Sequence, residues 1–131
     1  MPPIPHTQYY YNGKVAWIFR SNGNGTMDLL VLEESPYNSH SELDIPISEL
    51  VPIEITEEIL RKCNDCRYDG DFEFEYRDCK ITIQSDGAHF YCIMTNSNGE
   101  EFFKSPVTYL HEIQEGALTI MPNSPHPKLK P

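Results

Sequence analysis

Hydrophobic and polar residues alternate at every second position through much of the second half of the chain. The alternating apolar residues are Phe72, Phe74, Tyr76, Cys79, Ile81 and Ile83. A period of two is the spacing of a β-strand that buries one face. Asp86-Gly87 and Asn98-Gly99 are hairpin turn signals, and a short strand, Glu100 to Phe103, follows the second. The pattern predicts a four-stranded antiparallel meander, with a bulge or longer loop near Arg77-Asp78.

A two-residue turn at Asp86-Gly87 would define the register of the central hairpin and therefore its two faces. It pairs Ser85 with Ala88, Ile83 with Phe90, Ile81 with Cys92 and Cys79 with Met94. The following turn puts Phe103 opposite Met94. The outer face then carries His89, Tyr91, Ile93 and Phe102. This half-aromatic face is either covered by the N-terminal strands, which we favour, or is a possible interaction surface for a partner.

The first half of the chain contains short strand-like runs separated by turn signals. They are Tyr9–Tyr11, Lys14–Phe19, Met27–Leu32 and Leu43–Ile47, with turns at Asn12-Gly13 and Asn22–Gly25. Three or four strands of this length predict a small, strongly curved sheet or a minimal barrel. The segment from Pro46 to Ile53 is too rich in proline for a central strand.

Two helices are predicted from capping signals and apolar stripes. Thr56 is an N-cap residue, and Glu57 and Glu58 follow it in the first turn, where the helix dipole favours acidic residues. Its apolar stripe consists of Ile59, Leu60 and Cys63. Ser105 and Pro106 are expected at the N-cap and first position of a C-terminal helix. The stripe of that helix consists of Val107, Leu110, Ile113 and Ala117.

The predicted fold class is α+β. A small N-terminal β unit precedes a short helix, a four-stranded antiparallel meander and a C-terminal helix that covers the meander. The predicted boundaries are a Pro-rich tail over 1–8, a β subdomain over 9–52, a helix–meander–helix subdomain over 53–120 and a Pro-rich tail over 121–131. A chain of 131 residues buries roughly two-thirds of its unfolded surface, so this fold needs no disulfide or metal.

Charge narrows the classes of partner. The formal net charge is −10, and acidic residues occur in both halves of the chain. A nucleic-acid backbone is bound by clustered Lys and Arg, and the sequence has no basic stripe, so direct nucleic-acid binding is not expected. It has no apolar run of the roughly 20 residues that a membrane span requires and no signal-peptide pattern. We therefore expect a cytoplasmic protein with a protein partner. Its acidity serves solubility, or forms an acidic face for a basic partner.

The four cysteines are the strongest candidates for metal binding or redox chemistry. Cys63-Asn64-Asp65-Cys66 has the spacing of half a zinc site or of a redox pair. Cys79 and Cys92 are single and lie on the predicted core face, where diagonal neighbours are too far apart for a disulfide. A redox pair opens a helix, whereas this pair ends one. We expect four free thiols, no metal and no cofactor, as in a reducing compartment.

His111-Glu112 is the other pair of side chains that could take part in catalysis or metal binding. A helical zinc motif would need a second histidine at position 115, which is Glu115. We expect His111 to be a surface or partly buried hydrogen-bonding residue. The alternative is a small metal-dependent or hydrolytic enzyme that uses His111, Glu112 or the cysteines, which requires these groups to converge in a pocket. No nucleophile or phosphate-loop motif occurs, so no catalytic residue is assigned.

Two segments of the chain resemble a group of uncharacterised small proteins from phages and integrated mobile elements of gut anaerobes. Pro52–Leu60 reads PIEITEEIL and Val107–Gln114 reads VTYLHEIQ, which is similar to the "PIxLTxEIL" and "YVHELQ" segments of that group. The resemblance covers residues 12–118 and departs at Cys63–Cys66 and at Gly116, where the helix usually runs on. The group carries no known activity. The resemblance implies a non-enzymatic, protein-binding accessory factor of a phage or mobile element.

Overall fold

The computed structural model describes residues 3–33, 39–76, 79–120 and 126–131. Over these residues the chain has an α+β fold, with two antiparallel sheets of five strands each and two helices. The predicted fold class is therefore confirmed. The chain divides into two compact units: the first runs to Ile53 and includes Lys130 and Pro131, and the second spans Glu54–Leu129.

The first unit is a curled antiparallel sheet with the strand order β4-β3-β2-β1-β5. Its strands are β1 (Gln8–Tyr11), β2 (Lys14–Ser21), β3 (Thr26–Val31), β4 (His40–Pro46) and β5 (Leu50–Val51). The fifth strand was not predicted, because it lies in the Pro-rich segment. β5 is an edge strand next to Pro52, the position in a sheet where neighbouring prolines are tolerated.

Local turn chemistry and burial explain this sheet. Asn12 and Gly13 have φ angles of 51° and 77°, as the tight hairpin turn favoured by Asn-Gly requires, and Tyr11 pairs with Lys14. The predicted first hairpin is thus confirmed. The core of the unit consists of Tyr9, Tyr11, Ala16, Ile18, Met27, Leu29, Val31, Ile45 and Leu50.

The second unit is an antiparallel sheet with the strand order β10-β9-β8-β7-β6. Its elements are α1 (Glu57–Lys62), β6 (Cys66–Asp69), β7 (Asp71–Glu75), β8 (Cys79–Ser85), β9 (Phe90–Asn96), β10 (Glu101–Val107) and α2 (Leu110–Ile120). Both helices lie on one face, which we call the inner face. Gly116 of α2 lies against Phe103 and Met94, and Arg61 of α1 lies over the rings of Tyr68 and Phe72.

The central hairpin has the predicted faces but not the predicted register. The observed pairs include Ile81 with Met94, Ile83 with Cys92 and Ser85 with Phe90. The loop contains four residues, 86–89, where two were predicted. It is stabilised by Oδ1 of Asp86, which accepts hydrogen bonds from the N–H groups of Ala88 and His89 at 2.9 and 2.7 Å. A shift of two residues preserves the face of every side chain. Phe103 lies opposite Met94 as predicted.

The meander has five strands, and β6 is the one that sequence analysis missed. Cys66–Asp69 pairs antiparallel with β7, but its residues do not show the alternation of a half-buried strand. The loop predicted at Arg77-Asp78 lies outside the described residues. The residues on either side of it, Tyr76 and Cys79, exchange backbone hydrogen bonds of 2.8 and 3.4 Å.

One predicted helix start is confirmed and the other is wrong. Oγ1 of Thr56 accepts a hydrogen bond from the N–H of Ile59 at 3.1 Å, so Thr56 is the N-cap of α1. Ser105 and Pro106 do not start α2. They belong to β10 and pair with β9, and the helix begins at Leu110. Pairing with β9 therefore overrides the local capping signal.

The end of the chain also packs against the second unit where residues 126–129 are described, although it was predicted as a tail. Nε2 of Gln114 donates to the carbonyl of Pro127 at 3.0 Å. The N–H of Asn64 donates to the carbonyl of Lys128 at 2.9 Å, and Leu129 is buried. The rest of the predicted tail, residues 121–125, lies outside the described residues.

Candidate functional site

The outer face of the second sheet, opposite the helices, carries partly exposed apolar side chains along β9 and β10. We call Tyr91, Ile93, Phe102 and Pro106 the outer patch. Tyr91 pairs with Pro106, and Ile93 pairs with Lys104. Tyr91 and Ile93 are half-buried, Pro106 is exposed and Phe102 is 38% exposed. The outer patch is thus an apolar strip across the last two strands, with one cation within it.

Phe102 reaches this face through a bulge in β10. Glu101 pairs with Thr95 and Phe103 pairs with Met94, so Phe102 is the extra residue between them. Glu101 pairs with Thr95 of the outer face and the ring of Phe103 lies on the inner face against Gly116. We assign Phe102, the 38% exposed residue between them, to the outer face. Bulges commonly re-aim a side chain in this way.

His89 does not lie in a strand, as sequence analysis had placed it, but in the loop 86–89. Its exposed side chain flanks the outer patch. The N–H groups of Ala88 and His89 donate to Asp86 and lower the pKa of that carboxyl. The hydroxyl of Tyr91 donates to Oδ2 of Asp86 at 3.4 Å. Asp86 thus connects the loop to one end of the outer patch.

Pro106 is the member of the outer patch that sequence analysis missed. Ser105-Pro106 is typical of a helix start, and the prediction placed both residues there. An edge strand also accommodates a proline, because its outward N–H has no ladder partner. The strand-like run that begins at Glu101 was the sequence signal for a strand here. Where that strand ends is shown only by its pairing with β9.

The cysteines are distributed between the core and its rim. Cys63, Cys79 and Cys92 are at most 3% exposed, whereas Cys66 is half-buried. All four are free thiols. Burial raises the pKa of Cys92 to about 12, with a smaller contribution from Cys79, and burial also raises the pKa of Cys79 and of Cys66. In the described part of the chain, no three His, Cys, Asp or Glu side chains are grouped so as to hold a metal ion.

Tyr76 lies at the corner of the second unit that several of these thiols share. Burial raises the pKa of its phenol, and Asp65, Cys63, Cys79 and Cys66 each raise it further. Its hydroxyl oxygen is buried without a hydrogen-bond partner among the described residues. Burial and the neighbouring acidic groups thus both favour the neutral phenol of Tyr76.

Thiol accessibility gives a direct test of this arrangement. With the disulfide reagent DTNB at neutral pH, we expect Cys66 to react first and the three buried thiols to react at least ~100-fold more slowly, because they require local opening. Stopped-flow absorbance measures the rates. A Cys66→Ser variant should lose the fast phase and keep the other three thiols. A fast phase that persists in this variant, or fewer than four thiols after denaturation, would contradict the arrangement.

His111 and Glu112 are both engaged within α2. Oε1 of Glu112 accepts hydrogen bonds from the N–H groups of Thr108 and Tyr109, each at 2.8 Å, so Glu112 caps its own helix. Nδ1 of His111 lies 3.3 Å from Oε1 of Glu115, and its ring stacks on Tyr109 with centroids 5.8 Å apart. The structure therefore gives Glu112 a capping role.

The first unit contains a buried carboxylate, Asp28, which is 4% exposed. Its Oδ1 accepts from Nδ2 of Asn22 at 2.9 Å and from the N–H of Asp44 at 3.0 Å, and its Oδ2 lies 3.6 Å from Nε of Arg20. These hydrogen bonds lower the pKa of Asp28, and Arg20 adds to the effect. Asp44 has a φ of 57° and lies in a bulge of β4. Asp28 therefore holds the β2–β3 turn and the bulge in place, which is a structural role.

The described acidic side chains are divided between the two units. Several are neutralised by ion pairs. These pairs include Glu33 with Lys14, Asp28 with Arg20, Glu58 with Lys62, Glu73 with Lys80 and Glu75 with Arg67. The outer patch is therefore a better candidate for recognition than the charge distribution.

Comparison with known proteins adds no further constraint. No family model, curated protein or solved structure matches the chain. Among the described residues, no helix combines the length and apolar character that a membrane crossing needs.

Proposed function

We propose that this chain is a non-enzymatic protein-binding factor that contacts a protein partner through the outer patch. The observation that carries the proposal is the outer patch itself. An apolar strip on the exposed side of a sheet is a typical protein contact surface, since its burial removes apolar area from water. Tyr91 is well suited to a central contact, because tyrosine combines apolar area with a polar hydroxyl.

The side chains that could take part in catalysis have structural roles, and this supports a binding function. Glu112 caps a helix, Asp28 holds a bulge and a turn, and Cys79 and Cys92 are part of the core. We further propose a cytoplasmic location and an accessory role in a phage or mobile element, which the segments around Pro52–Leu60 and Val107–Gln114 suggest. A partner that is a protein rather than a nucleic acid fits the net charge of −10.

A charge inserted into the outer patch tests the proposal. Wild-type protein and an Ile93→Asp/Phe102→Asp variant are each used to capture proteins from the native host, and captured proteins are identified by mass spectrometry. We expect a partner that the wild type retains and the variant loses, with affinity for the purified partner weakened at least ~10-fold. Calorimetry with the purified partner measures the change.

A matched control separates the outer patch from exposed apolar residues in general. Leu43 and Val51 of the first unit are 61% and 57% exposed, so a Leu43→Asp/Val51→Asp variant carries the same chemical change elsewhere. This control should retain the partner. Equal loss of binding in both variants, or retention in both, would refute the assignment to the outer patch.

A further inference from the structure

The edge strands of the two sheets differ in how well they are protected from pairing with another chain. An unprotected edge is a template for a further strand, and proteins block edges with prolines and bulges. β4 has a bulge and ends at Pro46, β5 has two residues and precedes Pro52, and β10 has a bulge at Phe102 and contains Pro106. Over the described residues, β6 has neither device. It is the edge that a partner strand could extend.

The unprotected part of β6 runs from Arg67 to Asp69. The side chain of Arg67 is 72% exposed, Tyr68 is 57% exposed and Asp69 is also exposed. Among the described residues of the C-terminal segment, Leu129 pairs with Cys63 and the carbonyl of Lys128 accepts from the N–H of Asn64, and both of these positions precede β6. The side chains of these three residues are exposed, and the backbone groups of β6 that do not bond to β7 point to the open edge of the sheet.

We infer that β6 pairs antiparallel with β6 of a second copy of this chain, about a two-fold axis through Tyr68. Arg67 and Asp69 lie one residue to either side of Tyr68 and share the outer face. A two-fold axis normal to the sheet therefore sets each Arg67 opposite Asp69 of the second copy, and sets Tyr68 opposite Tyr68 of the second copy. The charges of this edge are complementary to themselves, which an isologous interface requires.

The local surroundings of Asp69 favour this occupant. Asp69 pairs with Asp71 across the β6–β7 hairpin, and like charges at opposed positions destabilise a sheet. Arg67 is already within 3.3 Å of Glu75 in its own chain, on the other side of the strand. In the dimer, Arg67 of the second copy lies beside Asp69 and offsets the repulsion from Asp71.

The ring of Tyr68 is already held by neighbouring side chains in the monomer. It lies 4.8 Å from the ring of Phe72 by centroids, and the guanidinium of Arg61 lies 5.2 Å from the ring centroid. The ring is therefore held in place, which reduces the conformational entropy lost on association. The part that remains exposed at the sheet edge is the part that Tyr68 of the second copy covers.

The dimer has a consequence for the proposed function but does not depend on it. A two-fold axis normal to the sheet places both outer patches on the same side of a continuous ten-strand sheet. Two patches facing one way permit bivalent contact, and this raises avidity if the partner is itself repeated.

Charge reversal tests the interface without disturbing the core. A strand edge of this length buries little area, so the dimer should be weak and visible between roughly 10 μM and 1 mM protein. Sedimentation equilibrium of the full chain should show dimer formation. Arg67→Asp and Asp69→Arg should each raise the dissociation constant at least ~10-fold. An equimolar mixture of the two variants should form a heterodimer, because every opposed pair is again of opposite charge.

Lys104→Asp is the matched control, since it reverses a charge on the other edge of the same sheet, in β10. It should dimerise like the wild type, and circular dichroism should show that all variants are folded. A monomeric wild type at the highest concentration overturns the inference. So does a mixture of the two β6 variants that remains monomeric, or a Lys104→Asp variant that loses the dimer to the same extent.

Discussion

Replacement of Asp28 with alanine should lower the melting temperature of the first unit by roughly 10 °C, a large effect for one side chain. The carboxylate is buried and accepts from Asn22 and from the backbone of Asp44. Its loss takes the side-chain acceptor from the N–H of Asp44 and one of three acceptors from Nδ2 of Asn22, and it leaves a cavity at a buried position. Trp17, the only tryptophan of the chain, lies in β2, so its fluorescence reports the unfolding of this unit.

The effect of Asp28 should depend on pH in a defined direction. Its pKa is lowered in the folded state from the usual 3.8, so the ionised carboxylate stabilises the fold above that pH. The contribution is lost as the pH falls through the folded-state pKa. The melting temperatures of the wild type and Asp28→Ala should therefore approach each other in acid. An Asp28→Asn variant, which keeps one acceptor oxygen, should lose less at neutral pH. A difference that is unchanged by acid would contradict the role of the charge.

Substitution of Gly116 by valine should destabilise the second unit by about 2 kcal/mol. A methyl group at this position would lie 3.2 Å from Cζ of Phe103 and 3.3 Å from Cε of Met94. These distances are shorter than a relaxed carbon–carbon contact. A branched side chain adds two further carbons there, so the helix and the sheet must move apart or the ring must leave its rotamer. Urea unfolding followed by circular dichroism measures the loss.

Two companion variants identify the cause of this loss. Gly116→Ala gains up to about 1 kcal/mol of helix propensity, which offsets part of the steric cost, so it should be much milder than valine. Gly116→Val combined with Phe103→Ala should lose less than the sum of the single changes, because the smaller side chain makes room. Strict additivity would show that contact with Phe103 is not the source of the destabilisation.

The elements that sequence analysis predicted correctly depend on a few neighbouring residues. Asn12-Gly13 specifies its hairpin because the two residues accept positive φ, and Thr56 caps α1 with a bond to a residue three positions away. The inner face of the central hairpin was also predictable. Alternation assigned Ile81 and Ile83 to it, and this assignment survives a register shift of two because the side-chain period is two.

The elements that were wrong or missed depend on partners distant in sequence. Ser105-Pro106 carries a local helix signal, but pairing with β9 extends β10 through it to Val107. The strand β6 has no alternating apolar pattern, because an edge strand is exposed along much of its length. The loop after β8 is longer than the Asp86-Gly87 signal indicates, since the carboxylate of Asp86 accepts hydrogen bonds from the N–H groups of Ala88 and His89.

The same distinction applies to the candidate surfaces. By itself, the sequence determined the fold class, the acidic character and the outward direction of Tyr91 and Ile93, because composition and a period of two are local properties. Only the tertiary structure decided that Pro106 joins these residues and that His89 leaves their strand. It alone also decided that Arg67 and Asp69 lie in an edge strand, which has neither a proline nor a bulge over the described residues. The physical reason is that strand pairing and edge exposure are properties of contacts between segments, which no single segment encodes.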